Sequence, residues 1–93
     1  MVQHIVMWKL KEDVNKAEAA AAMKQKLEAL VGVVPGLEEA RVTPAFGGWD
    51  VSLVTRHESR EALEVYQDHP AHVEVKAYVH SVVCDRVFSD GDL

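Results

Sequence analysis

Tyr66-Gln67-Asp68-His69-Pro70-Ala71-His72 is the stretch that decides how this chain folds. Proline suits the first turn of a helix, where its missing N–H would have no partner anyway. Pro70 therefore predicts position N1 of a helix, His69 its N-cap, and Asp68 a carboxylate beside the positive helix end. Ser59 to Tyr66 then reads as a separate short helix, with Ser59 as a good N-cap and Ala62, Leu63 and Tyr66 on its inner side. Tyr66 falls in the last turn of the first helix and His72 in the first turn of the second. Two helices meeting at such a corner can aim both side chains into one hollow.

On either side of this corner the chain alternates in the manner of strands. Val2 to Leu10 puts Val2, His4, Val6, Trp8 and Leu10 on one face and Ile5 and Met7 on the other. Apolar groups on both faces predict a central strand covered on both sides. Asn15 followed by Glu18 has capping-box spacing, and the alanine-rich run behind it is a strong helix former. Its expected buried stripe is Met23, Leu27, Leu30 and Val31, with Gly32 as the C-cap. Pro35-Gly36 is a turn. Leu37 to Phe46 alternates weakly, and Pro44 demotes its end to an edge. Gly47-Gly48 predicts a hairpin turn. Beyond it Trp49, Val51, Leu53 and Thr55 share one strand face. The helix after Pro70 is expected to bury Val73, Ala77, Tyr78 and Val79. Val82 to Phe88 is a last strand, and residues 89–93 a frayed polar tail.

Strand, helix, strand, strand, broken helix, strand is the order of a ferredoxin-like βαββαβ fold, an α+β domain with a four-stranded antiparallel sheet. Residues 1–93 make a single domain. Helices on one sheet face leave the other bare, with Ile5 and Met7 on it, so a second copy stacking sheet to sheet is expected. A chain this short buries only about 60% of its unfolded surface alone, which favours the same homodimer.

The totals exclude several classes. With 15 acidic against 10 basic residues the net charge is −5, and no Lys/Arg cluster is present, so nucleic acid is not the expected partner. Cys84 is the only cysteine, which rules out an intrachain disulfide and argues against structural zinc. No apolar run approaches the roughly 20 residues that span a bilayer, and no secretory pattern opens the chain. The expectation is a soluble, acidic, cytoplasmic domain with no membrane contact.

At this point the residues resemble the stress-responsive dimeric α/β-barrel family, Dabb. The carriers are His4-Ile5-Val6-Met7-Trp8-Lys9-Leu10-Lys11, the Pro35-Gly36-Leu37 turn, Glu58-Ser59 through His72, and Asp85-Arg86-Val87. The resemblance covers nearly the whole chain and implies ferredoxin-like monomers pairing through their sheets into a dimeric α/β barrel. Many members have no assigned reaction. One characterised member, the plant cyclase that forms olivetolic acid, closes a ring by aldol chemistry without a metal or organic cofactor. Its tyrosine and histidine in Tyr-x-x-His-Pro-Ala-His match Tyr66 and His72, and its first-strand histidine matches His4. The resemblance thus implies catalytic roles for His72, Tyr66 and His4, and no cofactor. This chain departs from that cyclase in two places. Val51 stands where it has a second strand-borne histidine, and Trp8 replaces a smaller aliphatic residue, a change expected to shorten or close the cavity.

The chemistry is coherent. An imidazole can remove an acidic α-proton near neutrality, and a phenol can hydrogen-bond the oxyanion that develops. The substrate-binding wall is expected from Val6, Trp8, Met23, Leu27, Val51 and Leu53. The plainer readings stand beside this one: His69 as a helix cap, His4 as a hydrogen-bonded core residue, Tyr66 and His72 as packing. His69 and His72 with Asp68 offer too few ligands for a metal site. His57 and His80 are expected in solvated turns, Trp49 as a hairpin anchor, and Glu58, Glu61 and Glu64 as a solvated helix face. Three functions follow: a dimer whose pocket binds a small apolar carbonyl compound with cyclase-like acid/base chemistry; a non-enzymatic stress or accessory dimer with a closed core; and a cofactor-independent monooxygenase-like protein.

Overall fold

The computed structural model describes residues 1–93. In chain order the elements are β1 (Val2–Leu10), α1 (Lys16–Glu28), β2 (Leu37–Pro44), β3 (Val51–His57), α2 (Arg60–Asp68), α3 (Pro70–Val82) and β4 (Val83–Asp92). The four strands form one antiparallel sheet in the order β2-β3-β1-β4, with Val6 opposite Leu53 on one side and Phe88 on the other. This is the expected ferredoxin-like α+β fold. No helix is long and apolar enough to cross a membrane.

Alternation in β1 works as read: Val2, His4, Val6, Trp8 and Leu10 are all buried. Val6, Trp8 and Leu10 join Met23 and Leu27 of α1, Tyr66 of α2 and Val79 and Val82 of α3 in a single core. The α1 start is also as read, since the Asn15 side chain accepts a hydrogen bond from the Glu18 amide at 3.0 Å. The opposite sheet face carries Ile5, Met7, Val54 and Val87, none of them buried. Two cross-strand pairings on this face, Ile5–Val54 and Met7–Val87, join apolar residues, while Ile5 also pairs with Ser89 and Met7 with Ser52.

Gly36 adopts φ +83°, and a Cβ there would lie 2.6 Å from the Ala62 Cβ. The Pro35-Gly36 turn is therefore doubly constrained, by a left-handed backbone and by the close approach of α2.

Several expectations are corrected. The tail is not frayed: Ser89 to Asp92 continue β4, pairing with β1 as far as Val2 opposite Asp92. The Arg60 guanidinium pins Asp92, with Nε 3.0 Å from Oδ1. Backbone pairing with a central strand and this ion pair outweigh the poor strand propensity of Ser-Asp-Gly-Asp. The α1 helix stops at Glu28, so Gly32 (φ +88°) turns the chain beyond the helix rather than capping it. Val31 is consequently 42% exposed. β3 begins at Val51, and half-buried Trp49 lies in the preceding turn with Lys9 Nζ 5.6 Å from its ring. In α3 the inward residues are His72, Val79 and Val82, whereas Val73 is half-exposed. His57 is not in a solvated turn. It is the last residue of β3 and fully buried, because it continues the inward series Val51, Leu53, Thr55.

Candidate functional site

The corner forms as its sequence dictates. Ser59 Oγ accepts from the Ala62 amide at 3.0 Å and starts α2. His69 has extended dihedrals (φ −62°, ψ 133°), and its Nδ1 accepts from the Ala71 amide at 3.1 Å, capping α3 with Pro70 at its first position. Carbonyls at the end of α2 have no helical partner. That of Tyr66 accepts from the His69 amide at 3.4 Å and, at 2.8 Å, from the His72 ring, whose Nδ1–H donates to it. A carbonyl can only accept, so Nδ1 carries the proton and Nε2 keeps its lone pair.

Four rings converge behind the corner. The Tyr66 and His72 rings stack with centroids 3.9 Å apart and planes 21° from parallel. His57 lies 4.9 Å from Tyr66, and His4 lies 6.4 Å from Tyr66 and 6.5 Å from His57. His4 Nδ1 donates to Asp90 Oδ1, a partner brought by the C-terminal half of β4. The Thr55 hydroxyl bonds His57 Nε2 at 2.8 Å, and His57 Nδ1 is buried without a partner.

Burial sets the protonation states. It lowers the His72 pKa to about 4, with the Lys76 charge acting in the same direction and the Tyr66 carbonyl against it. Burial likewise lowers His57 to about 4, assisted by His4. Burial pushes the Tyr66 phenol well above its ordinary value, so near neutrality it is a hydrogen-bond donor. Neutral His72 has an unshared pair at Nε2, and the phenol beside it has a proton to offer.

A cavity of about 320 Å³ opens between the sheet and the helices, at the small end of ligand-sized pockets. Of the expected residues, His4, Val6, Trp8, Leu27, Leu53, Tyr66 and His72 line it. Trp8 is 5% exposed and forms part of the wall without closing the space. Met23 and Val51 do not line it; both are fully buried, enclosed in the hydrophobic core. The Tyr66 hydroxyl has no bonding partner in the chain and is not among the sealed, unpartnered atoms, so it faces the cavity. No three His, Cys, Asp or Glu side chains come together to hold a metal ion.

Sequence reasoning missed Gln67, Lys76, Val79, His80 and Arg86, which complete the lining. Lys76 and His80 follow His72 at i+4 and i+8, one face of a helix, and that spacing was a usable signal. Arg86 stands directly across from Trp8, a relation visible only once the β1–β4 register is known.

The model of the Stress responsive A/B Barrel Domain, Dabb, matches residues 2–92. No curated protein matches the chain. Among solved structures, a dimeric protein of unknown function and ferredoxin-like fold from Bacteroides fragilis NCTC 9343 is 24% identical, with TM-score 0.90 over 99% of this chain and 95% of that one. A hydroxynitrile lyase from Passiflora edulis is 14% identical, with TM-score 0.84 over 97% and 90%. A protein from Nitrosomonas europaea described as a candidate antibiotic biosynthesis monooxygenase is 14% identical, with TM-score 0.81 over 100% and 98%. At these identities the structural likeness establishes the fold alone. The family match spans almost every residue, and the chain belongs to the stress-responsive A/B barrel (Dabb) domain family.

Proposed function

We propose that this protein binds a small apolar carbonyl compound in the Tyr66–His72 cavity and moves a proton on it, as a cyclase-like lyase acting without a cofactor. The observation that carries the reading is the Tyr66–His72 pair beside open space. With Nδ1–H committed to the Tyr66 carbonyl, His72 can accept a proton only at Nε2. The phenol is placed to donate to the oxygen on which charge develops. His4, held by Asp90, orients the carbonyl from the sheet side. A base whose conjugate acid has a pKa of about 4 is weak, so it suits a C–H activated by two flanking carbonyls rather than a simple ketone. β-Diketones and β-ketothioesters are therefore the substrate class. The lyase among the fold neighbours supports the reading by analogy only.

The functional unit in this proposal is a homodimer. Ile5, Met7, Val54 and Val87 form an apolar patch on the sheet face that no helix covers, and a second sheet stacked there would remove it from water. The dimeric Bacteroides fragilis neighbour supports this arrangement.

The test is a panel of linear β-diketones and β-ketothioesters, followed for product by mass spectrometry with wild type and His72→Ala. Turnover by wild type, lost in the variant while the protein stays folded, supports the proposal. Equal turnover by the variant removes His72 as the base. A panel giving neither turnover nor a rise in Tm returns the site to a packing role in an accessory dimer. Oxygen uptake with quinol or anthrone substrates is the corresponding check on monooxygenase chemistry, which the Nitrosomonas europaea neighbour brings into view.

A further inference from the structure

The cavity differs in charge from the molecule around it. Acidic residues outnumber basic ones 15 to 10 in the chain, yet the lining includes Lys76 and Arg86 and no carboxylate. Exposure rises from floor to mouth. Tyr66 and Val6 are 1% exposed, Lys76 is half-buried, and Arg86 and His80 are exposed. Both fixed cations thus stand at the entrance, above an apolar and aromatic floor.

Neither cation is neutralised within the chain. The ion pairs involve His4, Lys16, Lys24, Arg41, Arg56 and Arg60, not Lys76 or Arg86. Lys76 Nζ donates to the Gln67 carbonyl at 2.7 Å, which holds the ammonium against the end of α2 and leaves two of its three donors unused. The Arg86 guanidinium lies over the Phe88 ring, 4.8 Å from its centroid. No ion pair engages this guanidinium, so its N–H fork is free for an oxyanion. Cations on the rim of a low-dielectric concavity focus a positive potential into it; at His72, whose pKa is lowered mainly by burial, the Lys76 charge acts in the same direction.

We propose that the ligand of this pocket is an amphiphilic oxyanion, its carboxylate or phosphate held by Lys76 and Arg86 at the mouth and its apolar, carbonyl-bearing part on the Tyr66–His72 floor. This rests on the pocket assignment above and adds the headgroup and the direction of entry. With the headgroup anchored, the spacer between oxyanion and activated carbon decides which carbon reaches His72.

The experiment is an NMR titration of the full chain, following the Trp8 indole N–H, with octanoate, octyl phosphate, 1-octanol and octylammonium. At low salt at least one oxyanion binds about ten-fold more tightly than 1-octanol, as expected for charge-assisted hydrogen bonds at a partly exposed rim. Octylammonium binds more weakly than 1-octanol. Added salt shrinks the oxyanion advantage, and the preferred oxyanion identifies the headgroup. In the double variant Lys76→Gln, Arg86→Gln the advantage disappears while 1-octanol binds as before, which also shows that the pocket has folded. Equal binding of 1-octanol and both oxyanions overturns the proposal and leaves the pocket standing. An advantage that survives the double variant overturns it too. Binding of none of the four overturns both this proposal and the pocket reading beneath it.

Discussion

The imidazole of His72 lies 3.9 Å from the phenol of Tyr66, nearly parallel to it, while its Nδ1–H is spent on the backbone carbonyl of that same tyrosine. One residue thus supplies the surface on which His72 stacks and the acceptor that selects its tautomer. The two functions are chemically separable, because the carbonyl belongs to the backbone and survives any change at residue 66.

Tyr66→Phe keeps the stack and the carbonyl and removes only the hydroxyl. Because that hydroxyl has no partner in the chain, unfolding free energy should change by less than about 1 kcal/mol. Turnover of a β-dicarbonyl substrate should fall about 100-fold or more, the usual consequence of deleting an oxyanion donor. Urea denaturation and steady-state kinetics on one preparation check both. A large stability loss with intact kinetics would identify the hydroxyl as structural.

Acid should destabilise the fold through two histidines. His57 and His72 have folded pKa values of about 4 against an ordinary 6.5. Between those values the unfolded chain binds protons that the folded chain refuses, so stability falls as pH drops from 6.5 and the loss is complete near 4. Each group contributes on the order of 3 kcal/mol over the window. Urea midpoints at pH 7, 5.5 and 4.5 measure the slope. The pair His57→Phe, Thr55→Val, which replaces both partners of a buried hydrogen bond, should roughly halve it. The proposed proton transfer should keep its full rate down to about pH 5, because His72 remains neutral there.

Gly36→Ala should destabilise by about 2–4 kcal/mol, combining a left-handed backbone with overpacking. The added methyl would meet Ala62 at 2.6 Å. Ala62→Gly in the same chain clears the collision but not the backbone strain, so it should restore part of the loss. Thermal melts of the single and double variants decide the split.

Met7→Asp with Val87→Asp places two carboxylates opposite each other on the bare sheet face. Light scattering should then report the monomer mass where wild type reports the dimer. An unchanged dimer would locate the interface elsewhere.

What could be read in advance follows from how local each signal is. The β1 faces and the His69-Pro70 corner rest on periodicity and capping within a few residues, and both appear in the fold as expected. The order of elements was enough for the topology. His57 reads as a turn residue although it continues the alternation of Val51, Leu53 and Thr55, since the adjoining Glu58-Ser59 looks like a loop. Arg86 could not have been placed without the register that sets it across from Trp8. The last residues of β4 have poor strand propensity and are ordered by a partner strand more than 80 residues away, as His4 opposite Asp90 shows. Met23 and Val51 show the converse limit: an inward-facing position does not reveal whether it borders a void or a neighbour.

The contact between His4 and Asp90 spans 86 residues, nearly the full chain. During synthesis His4 leaves the ribosome first and waits for almost every other residue before it can meet its carboxylate. Closing so long a loop is among the last contacts that chain entropy permits. The sheet side of the site is therefore wired only when the final strand docks along β1. A chain cleaved after Phe88 keeps Tyr66 and His72 and lacks Asp90, so a single peptide bond separates the helix corner from the His4–Asp90 dyad.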